Sequence, residues 1–360
     1  MRRETPQAIS LKLEIPDHLA QAFCFEAGQH LGVRALIDGK EERRSYSICG
    51  AARGSLRIAI KRVAQGRFSC WANETLNAGD RLEVMPPAGR FVFARGAGEP
   101  RHILAFAAGV GITPIIAIIS EALTNEPHTS VALVYGNRTL ESILFLEELD
   151  DLKDRHLGRF TVLHVLSRNQ ESGAPVLQGH ITREKVMALA QRLFDPTAVA
   201  HAYLCGPGSM IVEVRKALLE LGLPRERIHH EFFAPVGART AEIASPLPPQ
   251  SLTRQAGGAG GDGANKTGAT AAIAVLDGIR HHFSVLRGGQ VVDAALAAGV
   301  RVPYSCKGGM CSTCRAKLVE GEVKMTVNYS LEPWEIERGF VLTCQAVPIS
   351  DSIVLDYDCV

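Results

Sequence analysis

The stretch "CKGGMCSTC", residues 306–314, places three cysteines within nine positions, and a fourth follows the third after a gap of 29 residues. Two glycines in this loop, Gly308 and Gly309, allow the backbone to come close to a bound group and to adopt positive φ. The spacing C-x4-C-x2-C with a distant fourth cysteine is typical of a plant-type [2Fe–2S] cluster. The pattern therefore predicts four metal ligands: Cys306, Cys311, Cys314 and Cys344.

Other interpretations of these cysteines remain open at this point. A zinc ribbon pairs two C-x2-C knuckles, and a thioredoxin-type C-x-x-C needs no third or fourth partner. Five of the nine cysteines lie outside the motif, mostly in apolar surroundings, and buried packing is the default for them. They are Cys24, Cys49, Cys70, Cys205 and Cys359.

Composition limits the class of protein. The 360 residues allow several domains, and 39 basic against 38 acidic residues give a net charge of +1, so we expect no nucleic-acid partner. The most apolar run, residues 103–119, contains two glycines, a threonine and a proline, and predicts a buried strand–turn–helix rather than a membrane span. The N-terminus has no apolar signal region. We therefore expect a cytoplasmic protein with no membrane partner.

Changes in composition divide the chain into four parts. Residues 1–98 contain short alternating strands and turns, which favour an antiparallel barrel. In residues 99–236, strands alternate with helices and predict a doubly wound parallel α/β domain. Residues 237–271 are rich in Gly, Ala, Ser, Thr and Pro and predict a flexible linker. Residues 272–360 open with a hairpin signal at Asp277–Gly278 and contain the cysteine loop.

A glycine-rich turn follows the first strand of the α/β region. In "AAGVGITP", residues 107–114, Gly109 and Gly111 permit a tight turn and the close approach of a pyrophosphate. Thr113 and the free N–H groups at the helix start can hold its charge, and Pro114 suits the first helical turn. A turn of this kind without any ligand is the alternative.

Two later strand ends carry further candidates. In open parallel sheets, ligands bind outside the carboxyl ends of the strands, so Cys205 and Gly206 are predicted to lie beside a nicotinamide ring. An ordinary core cysteine is the alternative for Cys205. Ser167 and Arg168 end another strand, and an arginine there favours NADPH over NADH because it can bind a 2′-phosphate. A solvated arginine would give the same pattern.

The barrel region contains two short polar motifs. "RRSYSICG", residues 43–50, offers a cation, an aromatic plate and a hydroxyl in Arg44, Tyr46 and Ser47. "GRFS" adds a small turn residue, Gly66, and a second hydroxyl, Ser69. Each motif alone would also suit a half-exposed strand, and the order of all the motifs gives them their meaning.

In that order, the motifs resemble the ferredoxin–NADP reductase superfamily joined to a C-terminal plant-type ferredoxin, as in three-part reductases of bacterial oxygenases. The stretches "VYGNRTLESILF", "PYSCKGGMCSTC" and "NYSLEP" are most similar to reductase subunits of phenylacetyl-CoA epoxidase complexes. The resemblance implies an antiparallel FAD-binding β-barrel over 1–98 and a doubly wound NAD(P)-binding domain over 99–236. It implies an α+β (β-grasp) [2Fe–2S] ferredoxin domain over 272–360.

The resemblance also implies individual roles. Arg44 would contact the FAD diphosphate, Tyr46 would pack on the flavin, and Ser47 would hydrogen-bond near the flavin N5. Gly66 and Ser69 would hold the rest of the diphosphate.

The stretch "HHEFFAP" matches the E-x-F pattern of these reductases. Phe233 would shield the flavin and Glu231 would assist at the nicotinamide site, although simple interdomain packing is the alternative for Phe233. The residues expected to be catalytic are Ser47, Cys205 and Glu231.

The implied function is transfer of electrons from NADPH to FAD, then to the cluster, then to a di-iron oxygenase in aerobic phenylacetate degradation. NADH is the less favoured nucleotide. A Rieske-type or other ring-hydroxylating oxygenase is an alternative partner. An alternative of another class is a non-catalytic electron carrier.

Overall fold

The computed structural model describes residues 1–52, 54–168, 174–190, 192–233, 250–254 and 268–359. The chain divides into two units, Met1–Ile243 and Ala244–Val360. Within the described ranges, every helix is too short or too polar to span a lipid bilayer.

Unit 1 begins with a six-stranded antiparallel sheet in the order β1-β2-β5-β4-β3-β6. The alternation in β5 places Leu56, Ile58 and Ile60 on one face, and all three are buried. A short helix, α1, follows β5. The bounds are β1 Arg2–Thr5, β2 Ala8–Glu14, β3 His30–Ile37, β4 Lys40–Ala52, β5 Ser55–Lys61, α1 Arg67–Glu74 and β6 Glu83–Val84.

The long strand β4 changes partner along its length. Its first part, Lys40 to Ser47, pairs with β3, and from Ile48 onward it pairs with β5. An irregularity between Ile48 and Gly50 marks the change, and a bulge of this kind bends a strand and increases its twist. The polar motif of this strand therefore ends where the strand bends.

The second half of unit 1 is a parallel sheet in the order β11-β10-β7-β8-β9. Residues 103–107 of the central strand β7 are completely buried, as expected for a parallel strand covered on both faces. The chain runs from β7 outward through β8 and β9 and then returns to β10 on the other side of β7. The sheet therefore has its topological switch point between β7 and β10. The bounds are β7 Arg101–Ala108, α2 Ile112–Asn125, β8 Thr129–Asn137, α3 Leu146–Arg155, β9 Phe160–Leu166, α4 Arg183–Ala190, β10 Val199–Gly206, α5 Gly208–Glu220 and β11 Ile228–Phe232.

Unit 2 is a small α+β domain built on seven strands. Strand β18 pairs in parallel with β13, whereas the other strand pairs are antiparallel. The bounds are β12 Gln250–Arg254, β13 Ala269–Leu276, β14 Ile279–Leu286, α6 Val291–Ala297, β15 Arg315–Met325, α7 Pro333–Glu337, β16 Phe340–Leu342, β17 Ala346–Pro348 and β18 Ser352–Asp356.

The predicted hairpin at Asp277–Gly278 is confirmed. Leu276 pairs with Ile279, and both turn residues have positive φ, +51° and +74°, as a type I′ turn requires. The N–H groups of both turn residues donate to the carboxylate of Asp358, each at 2.8 Å. The turn is thus held from outside the hairpin as well as by its own geometry.

Part of the predicted linker over 237–271 forms a strand instead. Residues 250–254 make β12, which pairs antiparallel with β15, and Leu252 is buried in the core of unit 2. An apolar side chain between two hydroxyl residues, as in "SLT", suits a half-buried strand. The strand was not predicted because the residues around it are typical of a linker. Strand β13 also begins inside this segment, at Ala269. Residues 237–249 and 255–267 lie outside the described part of the chain.

A buried ion pair joins helix α7 to β15. Arg315 Nε lies 2.9 Å from Glu335 Oε1, and the two side chains are 10% and 1% exposed. The Arg315 guanidinium also lies over the Phe340 ring, 3.6 Å from its centroid. Removal of the carboxylate would leave a buried cation without its counter-charge.

We predict that Glu335→Ala lowers the free energy of unfolding of unit 2 by about 3–5 kcal/mol, because a buried charge loses its partner. The matched control is Glu337→Ala on the exposed side of the same helix, with an expected change of less than about 0.5 kcal/mol. Hydrogen exchange of the β15 and β16 amides in the full chain, measured over a urea series, reports this unit alone. Equal effects of the two substitutions would contradict the prediction.

Candidate functional site

The turn after β7 is packed tightly against β10. A Cβ added to Gly111 would lie 2.2 Å from the carbonyl oxygen of Cys205, so only glycine fits there. Gly109 has φ +54°, and its carbonyl accepts a hydrogen bond of 2.9 Å from the Tyr135 hydroxyl. The sequence predicted this glycine turn, and the structure places it at the switch point of the sheet.

Thr113 and Pro114 occupy the first turn of α2, and both are buried. The Thr113 hydroxyl donates to the Val110 carbonyl at 3.0 Å. The Thr113 hydroxyl therefore stabilises the turn itself. An anion at this turn would be bound by backbone N–H groups at the start of α2.

Three residues predicted to be catalytic meet beside this turn. Cys205 and Glu231 are opposite each other in the parallel register of β10 and β11. The Ser47 hydroxyl, from β4, donates to Glu231 Oε2 at 3.4 Å. The structure therefore joins a hydroxyl from the first sheet to a carboxylate and a thiol at the edge of the second.

His30 is a fourth member of this group that the sequence analysis missed. It is opposite Ser47 in the register of β3 and β4, and its Nδ1 lies 3.9 Å from Glu231 Oε1. The side chain is only 3% exposed. A histidine at the start of an apolar strand is a weak signal, and only the pairing with Ser47 could have indicated its position.

The Cys205 thiol is completely buried. Burial and then the nearby Glu231 carboxylate raise its pKa well above the ordinary value. The thiol therefore stays protonated and neutral near pH 7, so it can pack against or hydrogen-bond to a ring but is not poised as a thiolate nucleophile.

Gly206 and Phe233 complete this edge. Gly206 has φ +153°, and its carbonyl accepts a hydrogen bond of 3.2 Å from the Phe233 N–H. Phe233 is half-buried against the core of the parallel sheet. The backbone of Phe233 is thus fixed one residue beyond the end of β11.

The cation predicted to contact a diphosphate lies near the start of α1. Arg44 pairs with Glu42 at 2.9 Å, and Arg67, the first residue of α1, lies 3.4 Å from the same carboxylate. A phosphate is attracted to cations and to the N-terminal N–H groups of a helix. The shared carboxylate therefore brings together two kinds of anion-binding group.

The "GRFS" motif forms the turn that leads into α1. A Cβ on Gly66 would lie 2.5 Å from Ser69 Oγ. The Ser69 hydroxyl accepts from the Val63 N–H at 3.1 Å and donates to the Gly66 carbonyl at 3.2 Å. Gly66 and Ser69 thus act as one tight unit.

Tyr46 belongs to an aromatic group of the first sheet. Its ring centroid lies 5.6 Å from that of Phe68, which in turn contacts Trp71 edge-on. Burial raises the pKa of the Tyr46 hydroxyl, so it remains protonated. The ring is therefore held in place as a neutral aromatic surface.

Cations gather at the carboxyl ends of the parallel strands. The Ser167 and Arg168 N–H groups donate to the carbonyls of Asn137 and Arg138, each at 2.9 Å. Lys61 Nζ lies 3.8 Å from the position that a Cβ on Gly109 would take.

Lys61 and Arg138 were missed by the sequence analysis, although "YGNR" was among the stretches that carried the resemblance. Burial first, and then the Arg138 guanidinium, lower the pKa of the Lys61 ammonium. Two cations that repel one another beside a glycine turn would be stabilised by an anion between them. The signal for Lys61 was its place at the end of an alternating strand, directly after the buried Ile60.

In unit 2, the four cysteines of the motif form two contacting pairs. Cys306 lies close enough to Cys311 for the two thiols to influence one another, and the same holds for Cys314 and Cys344. Over the described ranges, no three His, Cys, Asp or Glu side chains converge on a single metal ion. A [2Fe–2S] cluster takes four thiolates shared between two irons. Two pairs of thiols fit two irons better than one central ion.

The electrostatics of these thiols also suit a metal cluster. A hydrogen bond with the paired thiol, followed by burial and repulsion from the other cysteines, raises the pKa of Cys306 and of Cys314. The hydrogen bond from Cys314 lowers the pKa of Cys344, and the Gly309 N–H and Gln345 add to this effect. Four thiolates packed this closely need positive charge among them, and two irons would supply it.

Backbone conformation in the loop differs from the prediction at one position. Gly309 has φ +74°, as expected, but Gly308 does not have a positive φ, whereas Lys307 and Ser312 do, at +51° and +53°. A Cβ on Gly309 would lie 3.1 Å from the Val327 carbonyl. The segment after β15 therefore presses directly on the cysteine loop.

Comparison with known proteins agrees with this arrangement. Three family descriptions match in succession: an oxidoreductase FAD-binding domain over 4–93, an oxidoreductase NAD-binding domain over 106–216, and a 2Fe-2S iron-sulfur cluster binding domain over 274–348. One component of the 1,2-phenylacetyl-CoA epoxidase of Escherichia coli (strain K12) is 38% identical over 358 residues, 99% of this chain and 95% of the relative. The chain belongs to this family of FAD- and [2Fe–2S]-containing oxygenase reductases.

Other members have the same organisation. The ferredoxin reductase component of 3-ketosteroid-9-alpha-monooxygenase from Rhodococcus rhodochrous is 34% identical over 98% of this chain and 94% of its own length. The crystal structure of phthalate dioxygenase reductase superposes with a TM-score of 0.57, at 22% identity, over 99% of this chain and 95% of that one. That likeness supports the fold alone.

These comparisons confirm several predictions. The fold class is confirmed: an antiparallel FAD-binding sheet, a parallel nucleotide domain and a C-terminal [2Fe–2S] domain. The chain is an NAD(P)H-dependent oxidoreductase that uses FAD, a pyridine nucleotide and a [2Fe–2S] cluster. Relatives named for 3-ketosteroid-9-alpha-monooxygenase and for glycine betaine monooxygenase are reductase components of those enzymes.

We predict that Gly111→Ala lowers the free energy of unfolding of unit 1 by about 2–3 kcal/mol, because the new methyl group collides with backbone. The matched control is Gly136→Ala on β8, where the added Cβ meets only side-chain atoms, 3.2 Å from the Ile181 Cδ1 and 3.6 Å from the Ala108 Cβ. That change should cost less than about 1 kcal/mol. Urea unfolding followed by hydrogen exchange of β7 and β10 measures both. Equal losses of unfolding free energy from the two substitutions would show that the close contact between Gly111 and Cys205 does not determine the effect of the added methyl group.

Proposed function

We propose that this chain is the reductase of a phenylacetyl-CoA epoxidase, which takes electrons from NADPH and delivers them singly to a di-iron oxygenase. The observation that carries the proposal is the 38% identity to a component of such an epoxidase along 99% of the chain. All nine cysteines lie in the described part of the chain and none forms a disulfide, which suits the reducing cytoplasm. We place the reaction in that compartment.

The first sheet is proposed to hold the flavin. Arg44 and the N-terminal turn of α1, with Gly66 and Ser69, would bind the FAD diphosphate. Tyr46 would cover part of the isoalloxazine ring. Bound FAD supplies the conversion of an electron pair, received as hydride, into two single electrons.

The edge formed by β10 and β11 is proposed to hold the nicotinamide. With FAD bound, the Ser47 hydroxyl would turn its single proton from Glu231 towards the flavin N5, and the buried neutral thiol of Cys205 would line the nicotinamide side. Phe233 would exclude water from the flavin face. Since His30 also faces the Glu231 carboxylate, it would fix the orientation of that acid.

The cations at the strand ends are proposed to bind the rest of the nucleotide. Lys61 and Arg138 would bind the diphosphate that lies against the turn of Gly109 and Gly111. Ser167 and Arg168 would bind the 2′-phosphate that distinguishes NADPH from NADH. This last pair carries the proposed preference for NADPH.

The four paired thiols are proposed to ligate the cluster: Cys306 and Cys311 on one iron, Cys314 and Cys344 on the other. The chain would contribute two thiolates to each iron and a loop that covers them. The bound cluster accepts one electron at a time and operates at a low potential, roughly −400 mV for the plant type. That potential suits the reduction of an iron oxygenase.

Anaerobic titration of the full chain with NADPH tests the function. One FAD and one cluster together accept three electrons, so we expect an end point at about 1.5 NADPH per chain, with the flavin and iron–sulfur bands both bleached. Protein that lacks a flavin band, or an end point reached without loss of the iron–sulfur band, would contradict the proposal and favour a simple carrier.

The oxygenase partner is tested separately. Purified oxygenase subunits of a phenylacetyl-CoA epoxidase should form epoxide when NADPH and this chain are supplied, whereas a Rieske-type oxygenase should show little product. The relatives named for 3-ketosteroid monooxygenase make this comparison necessary. A higher coupled rate with the Rieske-type enzyme would overturn the assignment to an epoxidase.

Two substitutions separate the two nucleotide contacts. Arg168→Leu should reduce kcat/KM for NADPH by about 10- to 100-fold and leave NADH nearly unchanged, because a charge-assisted bond to the 2′-phosphate is lost. Lys61→Met should lower kcat/KM for NADPH and for NADH by a similar factor, since both nucleotides carry the diphosphate. Flavin reduction in a stopped-flow instrument measures these values. A loss from Arg168→Leu that is equal for both nucleotides would refute the NADPH assignment.

A further inference from the structure

Gln345 follows the last cysteine of the motif and is buried, with 6% of its surface exposed. Its Nε2 donates to the Lys307 carbonyl at 2.9 Å and, over a longer distance of 3.7 Å, to Cys344 Sγ, and its Oε1 accepts from the Thr326 hydroxyl at 2.7 Å. The Lys307 carbonyl can only accept a hydrogen bond, so the atom that faces it is the amide nitrogen. The carboxamide thus connects the strand of Cys344 to the cysteine loop and to the end of β15.

The Lys307 carbonyl and the Gly308 N–H belong to the same peptide group. In a trans peptide, these two bonds point in opposite directions, so fixing one fixes the other. The Gly308 N–H donates to Cys306 Sγ at 3.3 Å. A hydrogen bond from Gln345 on one side of the peptide therefore aims the N–H on the other side at a ligand sulfur.

This peptide needs an anchor. Lys307 has φ +51°, a conformation that side-chain-bearing residues rarely adopt, and Gly308 beside it tolerates many conformations. A Cβ added to Gly308 would have no neighbour closer than 3.7 Å, so packing does not hold this residue. The Lys307 side chain is tied elsewhere, to Asp293 at 2.6 Å. The bond from Gln345 is what fixes the peptide plane.

We infer that Gln345 raises the reduction potential of the bound cluster, both by orienting the Gly308 N–H towards Cys306 and by its own longer hydrogen bond to Cys344. Addition of one electron increases the negative charge on the cluster sulfurs, so an N–H donor stabilises the reduced state more than the oxidised state. The electron comes from the nucleotide by way of the flavin. The inference rests on the proposed cluster ligands and adds a residue that controls the cluster's potential.

The test is a potentiometric titration of the cluster in the full-length holoprotein, followed by EPR of the reduced cluster so that flavin does not interfere. Gln345→Met keeps the length of the side chain and removes the donor. We expect it to lower the equilibrium constant for reduction of the cluster by about tenfold. For a one-electron couple, this is a fall in reduction potential of about 59 mV. The g values should shift as well, because the environment of the Cys306 sulfur changes.

Two further variants separate hydrogen bonding from packing. Gln345→His presents a ring N–H at a similar distance from the backbone. The equilibrium constant for reduction of the cluster should return to within about threefold of the wild-type value. Thr326→Val removes the hydroxyl that contacts Gln345 Oε1 but leaves the donor to Lys307. It should change the equilibrium constant for reduction by less than about twofold.

Each outcome decides the question. A potential for Gln345→Met within twofold of wild type would overturn the inference, as would an equal fall in Thr326→Val or no recovery in Gln345→His. Loss of the cluster from the Met variant with retention in the His variant would support the donor role, and loss from both would overturn it. Wild-type protein without a [2Fe–2S] EPR signal would instead remove the proposed function itself.

Discussion

The close contact between the turn of Gly111 and the carbonyl of Cys205 is the constraint on which unit 1 depends. It brings α2, β7 and β10 together at the switch point, and no side chain fits between them. Because β10 also sets the register of β11, the same contact places Glu231 and Phe233. The first sheet then needs to contribute only one hydroxyl, from Ser47, to connect its strand to the acid at this edge.

The sequence was most informative where one physical rule dominated. Alternating and continuous apolar runs predicted the strands of both sheets, because burial on one face or on two faces leaves a direct pattern. The turn at Asp277–Gly278 was predictable because few residue pairs tolerate positive φ at both positions. The cysteine spacing pointed to a two-iron cluster, and the thiols indeed form two pairs.

The missed residues were those whose roles depend on contacts between distant segments. His30 and Lys61 each lie at the end of an ordinary strand, and only the tertiary structure brings them to Glu231 and Gly109. Gln345 was hidden in the same way, because its importance comes from a carbonyl 38 residues earlier in the chain. Strand β12 was missed for a compositional reason: five residues of strand are too few to alter the average of a segment rich in Gly and Ala.

The pair of hydrogen bonds between Asp358 and the β13–β14 turn has a consequence for protein engineering. Two backbone donors of that turn are satisfied by a single carboxylate close to the end of the sequence. Asp358 therefore stabilises this turn at the edge of the small domain. A shortened version of this protein should keep Asp358, and an affinity tag or fusion partner should be joined after it through a spacer that does not pull the carboxylate away.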